Sequence, residues 1–148
     1  MKLNWKTLLS IGGICSTLVG LLHIVIVFYG APAYRYFGAG EEMAVMSENG
    51  SLLPAIVTLV IAFVFLIWGL YAFSGVGLIR RLPKLRLVLI IIGSIYTLRG
   101  IIIVFQIFEI TVLNGPLIVN DLVFSIVSLF VGTVYLAGIR TGWQMLKT

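Results

Sequence analysis

Four uninterrupted apolar stretches, Leu8–Tyr29, Leu53–Phe73, Leu87–Ile107 and Leu117–Ile139, constrain this chain more than any other feature it has. Each is close to the roughly 20 residues that cross a hydrocarbon core of about 30 Å as a helix. No water reaches that core to satisfy backbone N–H and C=O groups, so a spanning segment of this kind must be helical. Helices are expected over about 7–29, 52–74, 86–113 and 117–140. Hydrophobic residues make up 61% of the 148 and charged residues only 10%, against about 25% charged in a soluble domain. A compact soluble fold of this length cannot hide so much apolar surface. The expectation is therefore an all-α integral membrane protein, a single transmembrane domain folded as a four-helix bundle.

Turn chemistry sets the boundaries. Asn49-Gly50-Ser51 followed by Pro54 reads as a turn, an N-cap and a first-turn proline, and starts the second helix. Ser74-Gly75 is expected to end it, because glycine takes the left-handed conformation a helix terminus often needs. Asn114-Gly115-Pro116 reads as a tight break between the third and fourth helices. Ala31-Pro32-Ala33 behind the first stretch superficially resembles a signal cleavage site. That stretch greatly exceeds an h-region of roughly 7–15 residues, so a retained helix is expected. Asn49-Gly50-Ser51 is also a glycosylation sequon, with the turn as its plainer role.

Charge gives orientation. Lys2 and Lys6, then Arg80, Arg81, Lys84 and Arg86, then Arg140 and Lys147 all fall on one side of the four spans. On the other side lie Arg35 alone and the acids Glu41, Glu42 and Glu48. Basic flanks face the cytoplasm, so both termini are expected there, in a bacterial inner (cytoplasmic) membrane. The net charge of +5 is distributed over helix ends rather than one solvated face, which argues against nucleic acid as a partner. The first outer loop carries Tyr29, Tyr34, Tyr36 and Phe37, an aromatic group suited to headgroup level. Within it, Glu41 to Glu48 is expected to be a short amphipathic or irregular segment, with Met43 and Met46 turned toward the membrane or the bundle.

The few polar residues inside the spans carry what functional information there is. Gly12, Ser16, Gly20 and His23 share a stripe on the first helix, and Ala55, Thr58, Ala62 and Gly69 one on the second. Tyr96, Arg99, Gln106 and Glu109 lie on one side of the third helix, and Asp121, Ser125, Ser128, Gly132 and Tyr135 on one side of the fourth. Small residues in such stripes let helices approach closely where lipid removes the hydrophobic drive. The simplest bundle turns all four faces inward.

Counting from the Asn114-Gly115-Pro116 break puts Glu109 and Asp121 at one height near the outer surface, and Arg99 level with Val131 and Gly132 near the midplane. Helical side chains lean toward the N-terminus, so Arg99 is expected to lean away from the outer acids. A midplane arginine costs about 2.5–3.5 kcal/mol on insertion scales, so something must compensate it. Structural candidates are the hydroxyls of Ser128, Tyr96 or Tyr135 and backbone carbonyls, a hydrated cavity favoured by the space at Gly132, or a loop glutamate. The functional candidate is an anionic or strongly accepting ligand group. His23 has a plainer reading as a hydrogen-bonded packing residue. Asp121 after Asn120 reads as a cap of the fourth helix, and Glu109 as a headgroup-level acid.

Three functions follow as expectations. The first is a noncatalytic protein whose outward-facing intrabundle pocket binds an amphipathic or anionic small molecule or lipid, with a transport or carrier role. Its ligand-binding candidates are Arg99, His23, Tyr96, Gln106, Asp121, Ser125, Ser128, Glu109 and Tyr135, and the first outer loop would cover it. The second is a structural or assembly subunit of a homo-oligomer or larger membrane complex. The third is a redox or enzymatic subunit acting on quinone or lipid, with His23 and Asp121 or Glu109 exchanging protons.

No cofactor is named by any motif. One histidine gives no haem pair, Cys15 alone gives no disulfide or thiolate cluster, and His23, Glu109 and Asp121 have no metal-ligand spacing. Catalytic and metal residues are therefore expected to be none. In size and helix count the chain is similar to the DoxX-type proteins, without a motif that carries a residue's role across. The small multidrug exporter pattern depends on a membrane-embedded Glu in the first helix, where this chain has only His23.

Overall fold

The structure, a computed structural model, describes residues 4–115 and 117–147. All regular elements among the described residues are helices: α1 (Trp5–Tyr29), α2 (Ala31–Tyr36), α3 (Glu41–Glu48), α4 (Leu53–Val76), α5 (Leu85–Val112) and α6 (Val119–Thr141). Four of them, α1, α4, α5 and α6, are long and apolar enough to cross a membrane. The chain is thus an all-helical integral membrane protein. By its internal contacts it divides into two compact units, residues 16–68 and residues 1–15 with 69–148.

In the larger unit, glycine sets how closely helices approach. A Cβ on Gly132 of α6 would stand 2.4 Å from Thr97 Oγ1 and 2.6 Å from Thr97 N on α5, and one on Gly100 of α5 would stand 2.5 Å from Leu129 N and Cα on α6. Backbone therefore lies against backbone at both positions, the geometry small residues exist to allow in a membrane. Thr97 keeps its own hydroxyl satisfied by donating to Gly93 O at 2.8 Å. Nearer the basic end, Tyr96 and Tyr135 stack at 6.0 Å with 14° between ring planes. A Cβ on Gly12 of α1 would meet the Tyr135 ring at 2.9 Å. Leu9, Leu85, Leu89, Ile92 and Leu146 complete this core.

Two boundary expectations are corrected. The second spanning helix does not end at Ser74-Gly75 but runs to Val76, and the left-handed glycine is Gly77, at φ 86°. Gly77 N–H donates to Ser74 O (3.2 Å) and Leu78 N–H to Phe73 O (3.0 Å), the paired bonds of a Schellman cap. Ser74 turns its side chain to the connector instead, donating to Arg80 O and accepting from Leu82 N–H at 2.8 Å. Asp121 does not cap α6. The N-cap is Ile118, with no side-chain cap bond, and Asp121 stands in the first turn, where its charge still suits the helix dipole. At the start of α4, Leu53 N–H donates to Ser51 Oγ at 3.3 Å. Of the expected break at 114–116, Asn114 takes a left-handed φ of 53° and Gly115 N–H donates to Glu109 O; Pro116 lies outside the described residues.

In the smaller unit α1 continues past Ser16, and Gly20 lies against Ala62 O and the Leu66 side chain of α4. The segment after α1 is a helical hairpin rather than a loop. Tyr34 is 1% exposed and packs with Ile26, Ala31, Ala33 and Ala44, flanked by Phe37. Tyr34 is therefore a core residue of this hairpin, whereas Tyr29 and Tyr36 are exposed. Arg35 clips the two short helices together. Its Nε donates to Glu41 Oε2 at 2.9 Å, its Nη2 to Glu41 Oε1 at 2.7 Å and its Nη1 to Glu48 Oε1 at 2.6 Å. Glu41 and Glu48 are one heptad apart on α3, so one guanidinium fork serves both.

Two outcomes are expected. Gly132→Ala should destabilise the protein by about 1–3 kcal/mol, the usual range for overpacking, in detergent thermal unfolding. Gly75→Ala, whose Cβ meets only leucine side-chain tips at 3.3 Å or beyond, should be close to neutral. Arg35 holds the carboxyls of Glu41 and Glu48 below their ordinary values. Their contribution is thus fully present above the ordinary glutamate value of about 4.3 and is lost as pH falls through the lowered values. Protection of α2 and α3 amides from exchange, taken relative to the intrinsic rate at each pH, should fall below about pH 4 and be unchanged between neutral pH and that point; Arg35→Ala should remove this pH dependence.

Candidate functional site

Arg99 is fixed in position by the glycine contacts around it. The pairs Thr97–Gly132 and Gly100–Leu129 set the antiparallel register of α5 and α6, and continuing it brings Ser125 level with Val104. The Arg99 Nη1 donates to Ser125 Oγ at 2.8 Å. The guanidinium therefore reaches about 7 Å toward the α5–α6 hairpin from its own Cα level, at 1.5 Å per residue. This reverses the expected lean. The N-terminal tilt of the Cα–Cβ bond governs the first atom of the side chain, while three further methylenes let the guanidinium travel the other way.

The compensation differs from the expected one in two further respects. Gly132 does not open a cavity for Arg99: it faces Thr97, and the room a side chain would need is filled by that residue's backbone. The partner hydroxyl is that of Ser125, fully buried, and not those of Ser128, Tyr96 or Tyr135. Among the described residues the ion pairs are Arg35–Glu41 and Arg35–Glu48, so no carboxylate meets Arg99. Arg99 is half-buried, and the rest of its donor fork has no protein partner among the described residues. One bond to a charged donor, worth about 1.5–3 kcal/mol, is of the same order as the lower insertion estimate but leaves that fork unfilled.

Gln106, two turns along the same face, is the second incomplete group. Its Oε1 is buried and accepts no hydrogen bond. In the register above, Gln106 lies about 3 Å beyond the level of Ser125 Oγ. By Cα level, Gln106 is thus within two residues of the level of Ser125, the residue that Arg99 meets.

The other candidates divide. Tyr96 and Tyr135 are buried against each other and against Gly12 and Gly93, so their rings are packing surfaces. Ser128 is half-buried. Glu109 is exposed, and its carbonyl rather than its carboxylate is engaged, accepting from Leu113 and Gly115 N–H. Asp121 is half-buried at the first turn of α6. In the other unit, His23 Nδ1 lies 2.8 Å from Val19 O. A carbonyl only accepts, so Nδ1 carries the proton and donates one turn back. The ring also tilts against Phe65 at 5.2 Å, and Phe65 meets Trp68 edge-on. Among the described residues no three His, Cys, Asp or Glu side chains gather as a metal site would require.

Two features escaped the sequence reading. The Arg35 clip had a signal, the seven-residue spacing of Glu41 and Glu48. The second had none. At the basic end of the larger unit, Arg86 lies over the Trp143 ring at 4.1 Å, a contact across 57 residues that only packing of α5 and the α6 C-terminus creates. Open clefts flank it, one of about 480 Å³ lined by Ile90, Leu136, Ile139, Arg140 and Trp143, the other of about 470 Å³ lined by Lys84, Arg86, Leu87, Leu146 and Lys147.

The fold and these groups define a small integral membrane protein with a partly satisfied cation inside its helical segments. No family model, curated protein or solved structure matches the chain. Ser125→Ala should destabilise the protein by about 1.5–3 kcal/mol in detergent unfolding, because Arg99 then loses its protein acceptor. Ser128→Ala should cost less than half as much.

Proposed function

We propose that the protein binds an amphipathic molecule whose anionic or strongly accepting head meets Arg99 and whose apolar body lies along α5 and α6. The observation that carries this is the half-buried guanidinium with one protein acceptor and no carboxylate. Arg99 supplies the charge and the donor fork, Ser125 holds one edge of that fork and aims the rest, and Gln106 Oε1 accepts from a hydroxyl or amine on the same head. A phospholipid whose headgroup carries an ammonium or hydroxyl has all of this chemistry; a fatty-acid carboxylate or a quinone carbonyl has the accepting part that meets Arg99. An intramembrane ionisable residue is a functional candidate by default, and the unfilled acceptor beside it narrows the ligand to one that also donates. Tyr96 and Tyr135 act in this reading as the packed floor beneath the site. Glu109 and Asp121 stand toward the hairpin end.

The chain forms a single transmembrane domain in this reading, with both termini and the Arg80–Arg86 connector in the cytoplasm, as the distribution of Lys and Arg supports. The Asn114 hairpin then faces outward, and the site opens to the outer half of a bacterial inner membrane. The role in this reading is carriage or sequestration, with Ser125 holding the guanidinium. The Arg35 clip favours no other reading.

The test is binding of a fatty acid such as oleate to the purified full chain, followed by native mass spectrometry. Arg99→Leu should abolish retention while helicity and unfolding temperature are kept or raised, since the uncompensated charge is gone. Gln106→Leu should leave oleate retention unchanged, because a carboxylate has no donor for Oε1, and should weaken retention of lysophosphatidylethanolamine, whose ammonium donates, about tenfold. Unchanged retention in Arg99→Leu overturns the proposal.

A further inference from the structure

The basic end of the larger unit carries a second site, unrelated to Arg99. We propose that the cleft between the start of α5 and the C-terminal segment binds the phosphate of an anionic phospholipid. The cleft, about 470 Å³, is lined by Lys84, Arg86 and Lys147 with Leu87 and Leu146. Three cationic residues line it, and the unit's acidic side chains, Glu109 and Asp121, belong to the far ends of α5 and α6. The cations therefore have no acidic side chain of the unit among them.

The walls of the cleft are held by contacts independent of any ligand. Arg81 Nη2 donates to Met145 O at 2.9 Å and to Lys147 O at 2.7 Å, tying the C-terminal segment to the connector before α5. Leu146 and Leu85 are fully buried beneath it. Arg86 is held by its face on Trp143, an arrangement that leaves the guanidinium edge free to donate. Its Nη1 is buried and has no partner among the described residues. The guanidinium is thus only partly satisfied by protein, and a phosphate oxygen suits the donors of such a fork that remain accessible from the cleft. Lys84, in the left-handed conformation at φ 50°, is the N-cap of α5 and makes no side-chain cap bond. The first N–H groups of α5 thus add to a field the three side chains already set.

Lipid is favoured over free phosphate by what surrounds the cations. Leu87 lines the cleft and is 54% exposed, which gives an acyl chain an apolar surface beside the headgroup. Trp143 stands at the same level, as an interfacial tryptophan does. Basic pockets beside membrane helices hold anionic headgroups through this combination of charge and apolar wall.

The test uses the full chain in a neutral detergent, with native mass spectrometry to read retained lipid. Phosphatidylglycerol should be retained about tenfold more than phosphatidylcholine of the same acyl chains, because both carry the phosphate but the choline cation is repelled by the lysines and arginine of the cleft. Arg86→Gln should remove that preference, and so should the double variant Lys84→Gln/Lys147→Gln, whose exposed side chains leave the core packing intact. Arg80→Gln, an equal loss of charge outside the cleft, should keep it, as should Arg99→Leu. Equal retention of the two lipids by the unaltered chain, or an unchanged preference in the double lysine variant, overturns the proposal. Displacement of phosphatidylglycerol by millimolar inorganic phosphate at constant ionic strength overturns the assignment to lipid.

Discussion

Backbone contact between α5 and α6 is the interaction on which the rest of the larger unit depends. In hydrocarbon, helices gain little from burying apolar side chains against each other, because lipid tails are equally apolar. What they gain is contact, and contact is greatest where no side chain intervenes. Gly100 and Gly132 provide two such places, and together they fix one register. The meetings between the faces of α5 and α6 follow from that register: Ser125 in reach of Arg99 and Tyr96 stacked on Tyr135. A slip of one residue would rotate Ser125 away and leave the guanidinium without its protein acceptor.

The same packing explains why the two proposed sites differ in kind. Arg99 lies where insertion is costly, so its single bond and unfilled donors suit a ligand that arrives with its own apolar body. The cleft at Lys84, Arg86 and Lys147 lies at the end of the spans, where charge costs little and attraction to anionic headgroups is direct. Arg86 combines the two situations, resting its flat face on Trp143 while one donor stays buried. The clip of Arg35 on Glu41 and Glu48 is a third use of a guanidinium, a solvent-exposed clasp. Exposed pairs are individually weak, and this one gains from serving two carboxylates in bidentate geometry.

Much of the chemistry that the polar stripes suggest is absorbed by packing. Tyr135 has no exposed surface and Ser125 none; His23 spends its Nδ1 proton on Val19 O. The stripes thus chiefly bring helices together, and only where the packing leaves a group incomplete does a ligand reading retain force. That criterion selects Arg99 and Gln106 from nine candidates and adds Arg86, which was not among them.

The number, kind and approximate bounds of the long helices were legible in the chain, because a hydrocarbon layer permits one secondary structure and sets its length. Height along the α5–α6 hairpin was legible too: counting from Asn114-Gly115 places Glu109 and Asp121 within one residue of the level the Gly132 contact gives them. What counting could not decide was direction and distance at the scale of a side chain. Whether Arg99 reaches toward the hairpin, whether Gly132 is room or contact, and whether Asp121 or Ile118 begins α6 depend on how closely two backbones lie. The burial of Tyr34 and the Arg86–Trp143 contact required residues far apart in the chain to meet. Periodicity records which face of a helix is small or polar, but only tertiary structure determines what is pressed against it.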